Sequence, residues 1–417
     1  IALACSAQLG MTLAIAQEPN KAENISAPQE TSSDLLSLFR EAAQNDPTYN
    51  SAKAAMLAGG ESYWQGLSVL LPQVNGTWST SKTDLDYANN SGNSKQFSSN
   101  GWNVKLTQPL FNWAKFETFR QGNLNAQLAK VQFAQAEQDL VLRVTQAYFA
   151  VLTALDNVEL YKNKKVLISQ QLEQAKRNFE VGTATITDTN EAQSRYDLVI
   201  AQEIAAVSDL DIKRSALEQI IGRPLGSIKT LNTTAKIDSV VSEKKAKGKK
   251  KVVINKEASQ ANLAAAITMP PGQTMDDWVK QAEEVNYGVA AAQLNQDVAR
   301  SNLRGAIAGH APYVDLVGSR GYTNQTGTAT LGPSQYYNST GTIQLTIPLF
   351  AGGYTQSVVR QNAELLNQAS YNYEFAKRSA IQNTRQAYLG FVNGLAQVKA
   401  YESAEISALS SVESNKL

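Results

Sequence analysis

From Trp113 to Phe179 the chain reads WAKFETFRQGNLNAQLAKVQFAQAEQDLVLRVTQAYFAVLTALDNVELYKNKKVLISQQLEQAKRNF, with no proline and a single glycine, Gly122. A helix rises about 1.5 Å per residue, so one unbroken helix of this length spans roughly 100 Å. Globular helices average about 11 or 12 residues, and an isolated helix gains little stability from propensity alone. The stretch therefore predicts a very long helix that packs against partners along its whole length.

The middle of this stretch carries an apolar seam. Its members alternate in steps of four and three residues, the spacing of a coiled coil: Val144, Tyr148, Val151, Leu155 and Val158. After a turn at Gly182, a second helix is predicted from about Thr189 to Ile221. It repeats the spacing with Ala192, Tyr196, Val199, Glu203, Ala206 and Leu210. The pattern predicts a helical hairpin in which Glu203 interrupts an otherwise apolar stripe.

Composition gives no reason to expect nucleic acid as a partner. The formal net charge is +1, and acidic and basic residues are interspersed outside one lysine-rich run at 243–251. A nucleic-acid or lipid patch is one interpretation of that run. A solvated insertion loop is favoured because no aromatic residues are interleaved to stack on bases.

The first residues, 1–16, read as part of a secretory signal peptide. They are apolar and end in Ala14-Ile15-Ala16, with small residues at the cleavage positions. The basic segment that normally precedes such a region is missing, so the sequence is expected to be clipped at its start. The alternatives are an apolar first helix and a lipoprotein signal at Cys5, the latter disfavoured by Ala2. Residues 17–33 are predicted to be a flexible lead-in.

Four segments alternate between apolar and polar residues and are predicted to be strands: Val74–Leu85, Gly101–Leu110, Tyr313–Thr323 and Tyr337–Leu349. Four prolines stand near their ends and are predicted to mark the transitions between strands and helices: Pro72, Pro109, Pro312 and Pro348. No apolar run after the signal segment approaches the roughly 18 residues of a membrane helix. Any entry into a membrane must therefore use strands.

The chain repeats itself. Three motifs return in order after 239 or 240 residues: Pro72-Gln73-Val74 as Pro312-Tyr313-Val314, Leu106-Thr107-Gln108-Pro109-Leu110-Phe111 as Leu345-Thr346-Ile347-Pro348-Leu349-Phe350, and Thr145-Gln146-Ala147-Tyr148-Phe149 as Arg385-Gln386-Ala387-Tyr388-Leu389. The predicted organisation is a first repeat at 34–224, a linker with the lysine-rich insertion at 225–274, and a second repeat at 275–417. The second repeat is expected to be truncated before its own turn and return helix.

The strands are long enough to cross an outer membrane, which takes about 9 to 11 residues. In lipid an unpaired strand edge is prohibitive, so the sheet must close, and four strands cannot close around a polar lumen. Several chains must therefore contribute to one barrel. Aromatic residues near the strand ends fit interfacial girdles: Tyr87, Phe111, Trp113, Tyr336, Tyr337 and Phe350. A soluble β-sandwich with the same alternation is the alternative.

Three motifs together resemble the outer membrane efflux protein (TolC) family: Gln108-Pro109-Leu110-Phe111, Ile347-Pro348-Leu349-Phe350-Ala351-Gly352-Gly353, and Phe179-Glu180-Val181-Gly182 leading to Ile186-Thr187-Asp188. The resemblance implies an α+β membrane protein of the Gram-negative outer membrane, in which three chains of four strands form a 12-stranded barrel. A coiled-coil α-helical barrel would continue it into the periplasm. The implied partners are two further copies of the chain, outer-membrane lipid, a periplasmic adaptor, and an inner-membrane pump or ABC transporter. The implied function is passive export of small molecules or proteins.

The family also carries a gate at the periplasmic tip, and the resemblance places it at Gly182, Thr187 and Asp188. There the aspartate would link to polar residues of the second repeat, whose equivalents would lie beyond Leu417. From the residues alone, Asp188 after a turn is predicted to be a helix N-cap. Both roles are compatible.

An enzyme is the main competing class. His310 is the single histidine and stands beside Ala311-Pro312, where a loop residue is favoured over a catalytic base. The chain has no Gly-x-Ser-x-Gly motif and no phosphate-binding loop. No catalytic residue, cofactor or metal site is therefore predicted. A secreted coiled-coil scaffold or adhesin with a β-sheet anchor is the remaining alternative, although it does not account for four matched strands at equal separations.

Overall fold

The computed structural model describes residues 34–86, 95–228, 274–327 and 332–414. The predictions for the signal segment at 1–16, the lead-in at 17–33, Tyr87, the lysine-rich run and most of the linker fall outside these ranges.

The described chain contains two copies of one arrangement: two helices, two strands and a long helix. In the first copy these are α1 Leu35–Asn45, α2 Pro47–Ser68, β1 Gln73–Leu85, β2 Lys95–Phe111 and α3 Trp113–Glu180, followed by the return helix α4 Ile186–Ile221. In the second copy they are α5 Met275–Val285, α6 Tyr287–Ile307, β3 Tyr313–Gln325, β4 Ser334–Thr346 and α7 Tyr354–Ser414, with a short 3₁₀ turn Ala308–His310 before β3. The predicted α+β fold with two repeats is confirmed.

The long helix α3 is the longest element and spans 68 residues. It begins where the Asn112 side chain accepts a hydrogen bond from the Lys115 amide, which satisfies one of the free N–H groups of the first turn. Its apolar seam packs against α4 and α1, with Val144 and Val151 fully buried. Within the described residues, no helix has both the length and the hydropathy that a membrane-spanning helix requires.

Lys165 on α3 explains how Glu203 is tolerated in the seam of α4. Its Nζ lies 2.5 Å from the Glu203 carboxylate, whose side chain is only 15% exposed. The residue that interrupts the apolar stripe is therefore one half of an ion pair between the two helices of the hairpin.

The four strands form one antiparallel sheet in the order β1-β2-β3-β4. Neighbouring strands are hydrogen-bonded to each other, and the pairing of β2 with β3 joins the two repeats. β1 and β4 are the outermost strands of the sheet, and each has one edge without a strand partner among the described residues.

Several predicted strand boundaries were wrong, for physical reasons. β2 begins at Lys95 rather than Gly101, because Lys95 pairs with Leu85 at the far end of β1. β4 runs from Ser334 to Thr346 rather than from Tyr337 to Leu349, and α7 begins at Tyr354. Gly352 and Gly353 between them have φ values of 59° and 82°, a backbone conformation that does not fit a helix.

Pro109 lies within β2, two residues before the strand ends and four residues before α3 begins. The register between β2 and β3 shifts between Pro109 and Phe111. Proline has no N–H to donate to the neighbouring strand, so an irregularity at this point is expected. Pro72 and Pro312 directly precede β1 and β3, and Pro348 follows the end of β4.

Candidate functional site

The sheet has two chemically different faces. Cross-strand partners share a face, and successive residues alternate between faces. One face carries exposed apolar side chains: Val74, Trp78, Trp102, Val104, Leu316, Tyr337, Ile343 and Leu345. In a soluble chain so many exposed apolar groups on one surface indicate a contact with another apolar phase.

An aromatic row crosses this apolar face. Trp78 pairs with Trp102, Trp102 with Tyr322, and Tyr322 with Tyr337, so each of the four strands contributes one ring. The Tyr322 and Tyr337 rings lie 5.0 Å apart between centroids. Beyond the row toward the loops the same face becomes polar, with Thr80, Asn100, Asn324 and Gln335. Tryptophan and tyrosine concentrate where an apolar layer meets water.

The opposite face is lined by hydroxyl and amide groups, among them Asn75, Thr77, Ser79, Asn103, Thr107, Ser319, Thr340, Thr342 and Gln344. Several bond across strands: the Ser319 and Thr340 hydroxyls are 2.6 Å apart. Apolar or aromatic residues also occur on this face: Leu85, Phe97, Tyr313, Val317 and Tyr336. Charged residues on the other face are Arg320 within the apolar rows, and Lys82 and Asp84 beyond the aromatic row. The sheet therefore separates an apolar surface from a water-compatible one.

Glu117 forms a buried polar contact directly below the sheet. Its carboxylate accepts a 2.7 Å hydrogen bond from the Ser301 hydroxyl on α6 and a 3.3 Å bond from the Trp113 indole. Glu117 and Ser301 are 3% and 1% exposed. This contact joins the long helix of the first repeat to the second repeat, and sequence reasoning did not identify it.

The tip of the α3–α4 hairpin is a tight turn closed by a capping box. Gly182 has a φ of +78°, which L residues rarely adopt, so the turn requires glycine. Thr185 is the N-cap of α4, and its hydroxyl accepts from the Asp188 amide. The Asp188 carboxylate in turn accepts from the Thr185 amide and hydroxyl, both at 2.8 Å.

The prediction of Asp188 as N-cap is corrected by this geometry. Thr185 holds that position, and Asp188 stands three residues later as the reciprocal partner. Its hydrogen bond from the Thr185 backbone, and then that from the Thr185 side chain, lower the pKa of the Asp188 carboxyl below its ordinary value. Thr187 beside it is exposed. The tip therefore presents an ionised carboxylate at neutral pH.

The described residues contain no cluster of histidine, cysteine, aspartate and glutamate suited to a metal ion. His310 lies in the 3₁₀ turn before β3. The groups that stand out chemically are therefore the two-faced sheet, the buried Glu117–Ser301 contact and the hairpin tip.

The sequence is similar to known outer membrane proteins. The sequence model of the outer membrane efflux protein family matches residues 38–223 and 278–416. The chain is 30% identical to the outer membrane protein TolC of Vibrio cholerae over 385 residues, covering 92% of this chain and 80% of that protein. It is 28% identical to the alkaline protease secretion protein AprF of Pseudomonas aeruginosa, covering 90% and 73%.

Solved structures show the same fold at low sequence identity. The Campylobacter jejuni CmeC outer membrane channel aligns with a TM-score of 0.66 and 15% identity, covering 96% of this chain and 82% of that one. A CusC structure aligns with a TM-score of 0.69 and 16% identity, covering 95% and 85%.

Proposed function

The chain belongs to the outer membrane efflux protein family, and from this premise we propose that three copies close a 12-stranded barrel and export substrate through it. The protein is an outer-membrane channel component of the efflux and secretion type, with its helices in the periplasm. The proposal concerns the trimer, the partners and the gate.

One observation carries the proposal: the sheet has an apolar face, a polar face and two open edges. A lone four-stranded sheet leaves the backbone groups of β1 and β4 unpaired in lipid, at a cost of several kcal/mol for each group. Pairing β4 of one copy with β1 of the next removes every edge. The apolar face then meets lipid, and the Thr, Ser and Asn face lines a lumen wide enough for water.

The long helices extend this lumen. α3 continues from β2 with a single residue, Asn112, between them, so the helix leaves the sheet without a flexible linker. Three α3–α4 hairpins and three α7 helices surround one axis in the proposed assembly. The interior is a tunnel across the periplasm, and no residue along it needs to perform chemistry.

A periplasmic adaptor and an inner-membrane pump or ABC transporter are the proposed partners, because a passive tunnel supplies no energy of its own. The substrate classes follow from the similar proteins, which include two protease secretion proteins, AprF and PrtF, and one outer membrane efflux protein, BepC. We propose export of small molecules or of proteins. Deletion of the gene is expected to sensitise cells to detergents and dyes, or to abolish release of a protein substrate.

The gate is proposed at the hairpin tip around Gly182, Thr187 and Asp188. In a closed trimer three ionised Asp188 carboxylates would link to polar residues of the second repeat. An Asp188→Ala variant is expected to raise the single-channel conductance, because it removes those links. Asp277→Ala is the matched control, since Asp277 forms the same capping box with Thr274 on α5, away from the tip.

Membrane extracts test the assembly itself. Outer-membrane fractions should contain trimers that dissociate on heating in detergent. A soluble periplasmic monomer would contradict the proposal and would favour a secreted scaffold. Equal conductance of the Asp188→Ala and Asp277→Ala variants would contradict the gate alone.

A further inference from the structure

Equivalent residues of the two repeats differ in number by a nearly constant offset. A shift of 240 carries β1 onto β3 at both ends, from Gln73 to Tyr313 and from Leu85 to Gln325. The same shift carries the start of α2 at Pro47 to the start of α6 at Tyr287. In the long helices it carries the buried Leu140 to the buried Ala380. Contacts made by one repeat therefore predict contacts of the other.

The joint between the repeats is seen directly inside the chain. There α3 of the first repeat packs against α6 of the second repeat. Glu117 on α3 reaches across to Ser301 on α6, whose hydroxyl donates to the Glu117 carboxylate at 2.7 Å and to its backbone carbonyl at 3.2 Å. Gly305, one turn further along α6, lies beside Glu117 and Gln121 and leaves room for these long side chains.

Among the described residues, α7 of the second repeat packs against α5 and α6 of its own repeat, and no helix takes the place that α6 has beside α3. The helix α7 of the second repeat corresponds to α3 of the first repeat, and α2 of the first repeat corresponds to α6 of the second repeat. By the same geometry, α7 of one copy requires α2 of another copy. The sheet agrees independently, because the internal β2–β3 pairing becomes a pairing of β4 with β1, and these are the two strands with free edges.

The residues at this second joint are exchanged. The shift of 240 carries Glu117 to Ser357 on α7, and carries Ser301 back to Glu61 on α2. The glutamate and the serine have changed sides. Gly305 becomes Gln65 on α2, whereas Gln121 keeps its residue type as Gln361 on α7. The exchange preserves the hydrogen-bonding partners, one glutamate and one serine, on opposite sides of the joint.

Glu61 and Ser357 are both exposed in the single chain, whereas Glu117 and Ser301 are buried. This difference is expected if a neighbouring copy of the chain covers Glu61 and Ser357 in the assembly, since the single chain lacks that copy.

We propose that Ser357 of one copy donates a hydrogen bond to Glu61 of the neighbouring copy, and that this pair determines how the copies dock. The occupant of the exposed α2 and α7 faces near the sheet is thus a second copy of this chain. The inference rests on the trimer proposed above, to which it adds the contacting residues. Each trimer would contain three internal Glu–Ser contacts and three between copies, in alternation and with reversed order.

Cross-linking tests the contact with small substitutions. In a Cys5→Ser background, a Glu61→Cys/Ser357→Cys variant treated with a short bismaleimide in outer membranes should migrate as a covalent trimer under denaturing, reducing conditions. Each single cysteine variant should remain monomeric. The matched control is Glu117→Cys/Ser301→Cys, which should react within one chain and stay monomeric.

Exchanging the two residues tests whether the joint requires one glutamate and one serine. Ser357→Glu alone places two carboxylates at the joint, and the trimer should dissociate at a lower temperature than the native trimer. Adding Glu61→Ser restores one glutamate and one serine in the order found at Glu117 and Ser301, and should restore the dissociation temperature.

The outcomes separate this inference from the proposed function. The pairing would be overturned if the native protein is a trimer but the double cysteine variant gives no covalent trimer. It would also be overturned if the Ser357→Glu trimer is as heat-stable as the native trimer. Neither result would contradict the proposed channel. Failure of the exchange variant to regain stability while its chain stays folded would also overturn the pairing. A native protein that is monomeric in the outer membrane would instead refute the trimer.

Discussion

Trp78 on β1 lies directly opposite Trp102 on β2, and both side chains project from the face of the sheet that also carries Val104. The two indoles are 71% and 39% exposed in the single chain. Exposed aromatic pairs at the border between apolar and polar rows are typical of strands that reach a membrane interface. Asn103, between Trp102 and Val104, projects to the other face.

The neighbours Asn103 and Val104 allow the lipid-facing surface to be identified. Val104→Lys places a second positive charge on the apolar face, directly opposite Arg320, and should destabilise the assembled sheet by about 1 kcal/mol or more. Asn103→Lys places the same charge on the polar face, where water is available. We expect heat-modifiable trimers from Asn103→Lys and a marked loss of them from Val104→Lys. Equal assembly of the two variants would contradict the assignment of faces.

The ion pair between Lys165 and Glu203 should stabilise the hairpin more than a surface pair does. Lys165→Met leaves a largely buried carboxylate without its partner, and we expect a loss of about 1–3 kcal/mol in unfolding free energy. Removing Arg195, whose pair with Glu191 is exposed on α4, should change it by less than about 1 kcal/mol.

A double variant separates this effect from lost packing. Lys165→Met/Glu203→Leu completes the apolar stripe and should recover most of the stability, because no charge is left unpaired. Thermal unfolding followed by the helical circular dichroism signal provides the comparison. A double variant less stable than Lys165→Met alone would contradict the explanation.

Asp46 should make stability depend on pH. It caps α2, accepting from the Thr48 and Tyr49 amides, and pairs with Arg143 at 2.6 Å. Burial alone would raise the pKa of the Asp46 carboxyl, but the hydrogen bond from Arg143 and those from the backbone outweigh it and lower the pKa below 3.8. The stabilisation that the ionised Asp46 carboxylate provides is complete at pH values well above 3.8, and it is lost as the pH falls through the lowered pKa.

Asp46→Asn tests this dependence, and asparagine is the residue at the equivalent cap of the second repeat, Asn286. The variant keeps a capping oxygen but loses the charge. We expect it to be about 1–3 kcal/mol less stable than the native protein at pH 7, with the difference shrinking as the native carboxylate becomes protonated. A difference that is the same at low and neutral pH would show that the charge is not responsible.

Close packing of α2 on α3 predicts opposite effects of alanine at two glycines. A Cβ at Gly122 would meet the Ser62 carbonyl oxygen and the Gly66 backbone, so Gly122→Ala should destabilise by about 1–3 kcal/mol. A Cβ at Gly60 has open space, and Gly60→Ala should stabilise the helix by about 0.5–1 kcal/mol. Shifts of the same sign in the two unfolding temperatures would contradict this packing.

The features that were predictable from sequence depend on local periodicity. The length of α3, the seam at Val144 and Val151, and the turn at Gly182 follow from spacing and from glycine or proline positions. The two-fold repeat was visible because whole motifs recur. The helix and turn signals involve residues close together in the chain, and the repeat is visible because each returning motif is itself a contiguous run.

The features that were missed depend on how distant segments meet. Residues 95–100 show no apolar alternation, and they become strand because β1 pairs with them. The burial of Glu117 against Ser301 arises only once the repeats pack side by side. The capping box at the tip is different, since a threonine followed three residues later by aspartate was a readable signal at Thr185.

The conductance of the protein in a lipid bilayer tests the central claim most directly. Purified full-length protein added to a planar bilayer should give discrete, uniform current steps, because a closed barrel with a polar interior conducts ions. The steps should be larger for Asp188→Ala and unchanged for Asp277→Ala. Stable insertion of the native protein with no conductance steps, in either orientation and at any applied voltage, would contradict the account of a channel.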